Sequence, residues 1–427
     1  MKLAPFYSRV RSVLTEYADH LQMFRRNARL YLLYVVITGA AIGVFRLLLN
    51  FYVLSLGYDE ALLGKLVTVN SLTALLVALP AGYLADRLGR KTSLITAGAI
   101  TSLSILFMVL VPRTEVFYAT NIMSGIGQSL AAVTMAPFMM ENSGDKERTY
   151  LFSFSSGLQM ASASAGSWIG GYLPTWIAGS RGVDPTSSAA YAGALMIVGV
   201  TLLLALVPLF FIREPRIERS ERSVFAPISF AARQPAKLGK LILPILLTSI
   251  GAGLIMPFMN VFFRQVHHQS DPVIGSLFAW GSLAMGIGLL IAPPLAERMG
   301  KMQLVVFTQG LSIPFLVILG FSPWFWMSAM AYYTRLSLMN MSTPIYQTFV
   351  MEQVEASSRA MVASLVSMAW SFGWAFSPAI SGWLQVNYGF APAFIGTITL
   401  YSISVFLYWA FFLRKKEAAV AAPLPGD

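Results

Sequence analysis

The chain has 427 residues, of which 56% are hydrophobic and only 11% charged, with a mean hydropathy of +0.66. Soluble domains carry about 25% charged residues, so water is not the main solvent of this protein. Its net charge is +11, and it has no Cys, which excludes disulfides, thiolate metal centres and thiol nucleophiles.

In chain order, an N-terminal arm (1–28) precedes a series of apolar runs of membrane-spanning length, about 17–25 residues each. Six lie near 30–56, 62–85, 92–112, 116–140, 149–177 and 188–212. The longest polar stretch follows, a central loop over 213–240 with Pro215, Pro227 and Pro235. Six more runs lie near 239–263, 273–296, 302–320, 324–350, 360–385 and 392–413, followed by a tail over 414–427. The runs are too long and too evenly apolar for the short alternating strands of a membrane barrel. The reading is an all-α integral membrane protein with twelve transmembrane helices in two six-helix bundles, 29–212 and 241–413.

The basic residues explain the net charge. Lys65, Arg113, Arg181 and Arg264 fall on one side of the predicted membrane and Arg46 and Arg335 within spans. All the other Lys and Arg fall on the side of the two termini. This is the positive-inside pattern, which predicts that both termini are cytoplasmic and removes the need for a nucleic-acid partner. Residues 1–28 lack the apolar core of a cleavable signal peptide.

The two bundles share one register. A shift of 211 residues places Gly64 on Gly275, Asp86-Arg87 on Glu297-Arg298, Gly89 on Gly300, Glu141 on Glu352, Arg148 on Arg359 and Gly171 on Gly382. Asn50 meets Asn260 with a shift of 210. Charged and glycine matches of this kind do not follow from membrane composition alone, and parallel repeats place a solute site near the midplane between the halves.

The segment Gly82-x-Leu84-Ala85-Asp86-Arg87-x-Gly89-Arg90-Lys91-x-x-Leu94 is a charged turn between two apolar runs. It resembles the signature motif of the major facilitator superfamily at every position. A weaker echo, Leu295-Ala-Glu-Arg-Met-Gly-Lys301, lacks the first Gly and carries Pro293-Pro294. The resemblance implies two halves that rock about a central site, with helices 1, 4, 7 and 10 lining the cavity. It also implies a conformational latch at the cytoplasmic face from Gly82, Asp86, Arg87, Gly89, Arg90, Glu141 and Arg148, with Glu297, Arg298, Glu352 and Arg359 as second-half counterparts. Gly82 would let another helix approach closely. The stretch Ser162–Gly171 partly resembles the family's proton-coupled antiporter motif, but with Ser167 where that motif has Pro, and packing is the preferred reading.

Ionisable residues inside a membrane default to functional roles. Within the predicted spans these are Arg46 and Arg335, with Arg264 at the outer end of helix 7. Thr38, Ile42, Arg46 and Asn50 recur every four residues on one helical face, as do Asn260 and Arg264. The candidate cavity residues are Arg46, Asn50, Asn260, Arg264 and Arg335. The expected function is secondary transport of a small organic solute by alternating access. Two Arg without a buried acid favour an anionic or amphipathic solute. The alternatives are a proton-coupled multidrug exporter and a non-transporting sensor on the same fold. No enzymatic motif, metal site or cofactor is expected. The expected partners are the solute, the lipid bilayer and protons or a counter-ion. The chain is expected to be a monomer in a bacterial inner membrane.

Overall fold

The computed structural model describes residues 24–213, 235–354 and 359–414, without the side chains of 145–149, 235–237 and 359–361. The arm up to residue 23, the loop 214–234 and the tail from 415 therefore lie outside the described residues, as do the side chains of Arg148 and Arg359.

Twelve helical elements follow one another: α1 (Arg26–Ser55), α2 (Glu60–Leu88), α3 (Arg90–Leu110), α4 (Thr114–Glu141), α5 (Asp145–Arg181), α6 (Ser188–Leu204 with a short turn Val207–Phe210), α7 (Pro235–Ile255, a 3-10 turn Met256–Phe258, then Met259–Gln265), α8 (Asp271–Met299), α9 (Lys301–Phe321), α10 (Phe325–Glu352), α11 (Arg359–Trp374 and Ser377–Tyr388) and α12 (Ala391–Tyr408 with a π turn Trp409–Leu413). At 1.5 Å per residue, the 30 residues of α1 exceed the roughly 30 Å hydrocarbon core. Nine spans among the described residues are long and apolar enough to cross a membrane by composition alone. The other three are α5, α10 and α11. The first has a Ser- and Gly-rich face, the second carries Arg335 and Asn340, and the third is split before Pro378.

Local chemistry sets the boundaries. The Asp59 carboxylate accepts from the Leu62 amide at 2.9 Å and caps α2. Gly89 and Gly300, with φ of 88° and 90°, make the same left-handed turn from α2 into α3 and from α8 into α9. Pro257 breaks α7 because it lacks an amide and crowds the preceding turn.

Each half repeats the same neighbours. In the first half α1 packs on α5 and α6, α2 and α3 on α4, and α3 on α6. In the second, α7 packs on α11 and α12, α8 and α9 on α10, and α9 on α12. The halves meet along α2 with α11 and along α5 with α8. An even number of crossings returns the chain to its starting side, so both ends lie on one side, here the terminal side, opposite a far side.

The contacts between halves cluster toward the far side. A Cβ at Gly64 would overlap the carbonyl of Pro378, and one at Gly382 would overlap that of Glu60. Between α5 and α8, a Cβ at Gly171 would meet the Asp271 carbonyl and one at Gly275 the Ser167 carbonyl. These contacts are themselves related by the 211-residue shift, since Glu60 matches Asp271 and Ser167 matches Pro378. Close backbone approach through small residues is the usual way for helices to pack in lipid, where burial of apolar surface provides no drive.

Candidate functional site

On α1, Gly39 and Gly43 face the backbone of α5, and Arg46 and Asn50, each seven residues on, continue the same stripe toward the far side. Asn50 lies on that stripe. Its amide donates to the Pro257 carbonyl at 2.7 Å and to the Asn260 side-chain oxygen at 2.8 Å. Asn260 in turn donates to the Leu47 carbonyl at 2.8 Å. The break at Pro257 frees a carbonyl, and the first half uses it. Two buried asparagines that the register makes equivalent positions, expected as cavity residues, thus bond each other across the halves.

Arg46 sits one turn before Asn50 on the same stripe, about 6 Å toward the terminal side. Its side chain is reachable by water although helices surround it on most sides. It makes no hydrogen bond or ion pair among the described residues. A guanidinium in this position can offer its planar donors to a carboxylate, phosphate or sulfate.

The other two predicted arginines are engaged by protein groups. Arg335 is only 2% exposed, within the second half. One Nη donates to the Tyr401 hydroxyl at 3.1 Å, the other lies 3.9 Å from Met256 Sδ, and Nε has no partner. The guanidinium lies 5.5 Å from the centre of the Tyr401 ring. Arg264 closes the far side. It pairs with Asp271, donates to the Tyr191 hydroxyl at 2.6 Å and rests 3.5 Å above the Phe51 ring. Tyr191 donates onward to Asp271 at 2.7 Å. Phe51 and Tyr191 belong to the first half, Arg264 and Asp271 to the second. Beside them, Gln265 donates to the Glu60 carboxylate, again across the halves.

Sequence reasoning missed Asp271 because the predicted span began at 273, whereas α8 begins at Asp271. Ser270-Asp271-Pro272 is a helix-start pattern, and the register partner Glu60 opens α2; either signal points to it.

On the terminal side the ion pairs observed among the described latch residues lie within one half. Arg90 bridges Asp86 at 2.6 Å and Glu141 at 3.1 Å. In the second half Lys301 pairs with Glu352. Lys301 is the register partner of Arg90 and was absent from the sequence-based set. Arg87, Glu297 and Arg298 form no ion pair among the described residues. A Cβ at Gly82 would meet nothing within 4 Å, so the close approach expected there is not made. The halves are joined at the far side, and the ion pairs observed at the hairpins among the described residues stay within each half.

A groove of about 310 Å³ lies on the flank at the far side, lined by Tyr172, Leu277, Trp280, Trp326, Met330 and Tyr333 among others. It touches none of Arg46, Asn50, Asn260 and Arg335, and its apolar lining suits lipid.

The chain was compared with known proteins. It is 25% identical over 412 residues to the multidrug resistance protein MdtG of Dickeya zeae, covering 92% of this chain and 96% of that protein. MdtG of Enterobacter lignolyticus is 24% identical, with 92% and 94% covered. Among solved structures, a bacterial homologue of the human lysosomal transporter Spinster, in an inward-facing and unoccupied conformation, superposes with a TM-score of 0.73 at 15% identity, covering 96% and 99% of the two chains. The nucleoside transporter NupG gives 0.71 at 13% identity, covering 93% and 100%. The family model of the Major Facilitator Superfamily matches residues 31–334 and again 241–426, the second match starting where the second half begins. The chain is a multi-pass membrane transporter belonging to the Major Facilitator Superfamily.

Proposed function

We propose that this transporter exports amphipathic organic compounds carrying an anionic group, and that Arg46 is the charge that receives them. The terminal side is the cytoplasm in this reading, as the positive-inside distribution supports. The solute enters between the halves there, its apolar part lies along the helices around it, and its anion meets the Arg46 guanidinium. The observation that carries the reading is a water-reachable Arg46 with no ion pair among the described residues, on the face of α1 that also carries Asn50. Curated relatives named for multidrug resistance support a broad specificity for organic compounds. Closure of the hairpins at Asp86 and Glu141 would then accompany opening of the far side.

A second reading, export of lipophilic cations, draws on the names of the same relatives, but no carboxylate pairs with Arg46 among the described residues. Purified protein titrated with amphipathic carboxylates and sulfonates, and in parallel with lipophilic cations, separates the two. Anions are expected to raise the melting temperature, with roughly ten- to hundredfold weaker affinity in Arg46→Ala, the loss of one charge-assisted contact. Stabilisation by cations alone, unchanged in Arg46→Ala, contradicts the proposal.

A further inference from the structure

The far-side seam holds two carboxylates that take part in contacts between the halves, and the register makes them counterparts. Glu60 opens α2 and accepts from Gln265 of α7. Asp271 opens α8 and is the buried member, 7% exposed. One of its oxygens accepts from Tyr191 at 2.7 Å and the other pairs with Arg264. Arg264 also donates to Tyr191 and covers Phe51. Arg264 and Asp271 belong to the same half, so their pair alone does not hold the seam. What crosses the seam is Tyr191 bonded to both, and Phe51 beneath the guanidinium.

We propose that Asp271 is a proton-operated catch for the far side. As a carboxylate it fixes Arg264 against Phe51 and Tyr191 and keeps the seam shut. A proton arriving from the far side binds the carboxylate oxygen facing Arg264. Arg264 then keeps its charge without a counter-charge in a poorly hydrated place, and the Tyr191 hydroxyl loses a charged acceptor. Opening the seam hydrates Arg264. Water can reach the cluster because the Arg264 side chain is 24% exposed.

The elements packed around Asp271 offer few competing groups. α5 contributes Tyr172 and Arg181, the turn after it Asp184, and α6 Tyr191 itself. Arg46 is on α1 and Tyr332 and Tyr333 are on α10. Beyond α7 lie His267 and His268, and Glu60 and Lys65 are on α2. Asp184 is held below the usual carboxylate range by Thr186, so it titrates at lower pH than an ordinary carboxylate. Burial, with His268 beside it, holds His267 below the usual imidazole value. Its protonation is thus displaced toward acid, and the variants below separate it from Asp271.

The catch deepens the transport reading by coupling proton entry to opening, yet its test needs no solute, so failure of the solute assignment leaves the result standing. The chain has no native Cys, so Arg113→Cys on the first half and Asn387→Cys on the second accept spin labels cleanly. Both positions are exposed near the far-side ends of their helices. In the full-length protein in nanodiscs, the distance between the labels is expected to lengthen as pH falls from about 7 to about 3, with a one-proton profile. Asp271→Asn is expected to give the long distance throughout, and Glu60→Gln and His267→Asn to keep the wild-type midpoint. Tyr191→Phe removes one crossing contact and leaves the carboxylate, so it should enrich the long distance while still titrating. A wild-type distance that ignores pH overturns the proposal. So does a full response in Asp271→Asn, or its loss in Glu60→Gln or His267→Asn. Should Asp271→Asn not fold, Tyr191→Phe decides alone, and a population identical to wild type overturns the catch.

Discussion

The two sides of the bundle use the same repeat but different chemistry. At the far side the halves touch through glycine against backbone and through buried polar groups that bond across to the other half. At the terminal side Asp86, Arg90 and Glu141, and separately Lys301 and Glu352, pair within one half and stand partly in water. The difference teaches where each kind of contact is useful. Close backbone packing is stiff and holds one state. Exposed charge pairs are weak and exchangeable, which suits residues that must take new partners when the other half approaches.

The strongest test of that contrast compares two glycines on one helix. Gly64→Leu drives a side chain into the Pro378 carbonyl. Overpacking costs about 1–3 kcal/mol or more, so a drop of several degrees in melting temperature is expected. Gly82→Leu adds its side chain where nothing lies within 4 Å. It is expected to leave the melting temperature unchanged but to reduce transport in proteoliposomes at least roughly tenfold, because the closed hairpin needs that space. Equal loss of stability at both positions breaks the comparison.

Next in size is Asn260→Ala. It strips the far-side crossing of two bonds and leaves part of the Asn50 amide unpaired. About 1–3 kcal/mol is expected from buried groups left unsatisfied, measurable by chemical denaturation in detergent. Weaker effects are expected at the charged hairpins. Arg90→Ala, which removes a bridge to two carboxylates, should cost about 1 kcal/mol, and Lys301→Ala, which removes a single exposed pair, roughly 0.5 kcal/mol or less. Reversal of that order would mean that the second-half echo, not the complete motif, anchors its hairpin.

Much of this architecture is legible in the chain. Twelve apolar runs and the 211-residue register foretell the helices, and the register also relates seam contacts that hydropathy alone would miss. Asn50 and Asn260 could be matched as equivalent positions by the register, but their bond to each other shows only in the folded chain. Arg335 was harder to read. Its neighbours Tyr401 and Met256 come from remote helices, and a buried guanidinium held by a hydroxyl, a thioether and a ring leaves no charged partner to search for. The broken α7 was announced by Pro257, but the use of the freed carbonyl by Asn50 depends on tertiary packing. Asp271 was missed because a hydropathy window trims polar residues from helix ends, where gate residues sit.

Leu88 and Met299 occupy equivalent terminal-side positions in the two halves and are 40% and 37% exposed. Spin labels at Leu88→Cys and Met299→Cys, measured beside the far-side pair at 113 and 387, test the central claim of reciprocal opening most directly. Conditions that lengthen the far-side distance should shorten the terminal-side one, in the same fraction of molecules. Two distances that lengthen together, or a terminal-side distance that stays fixed while the far side opens, would contradict it.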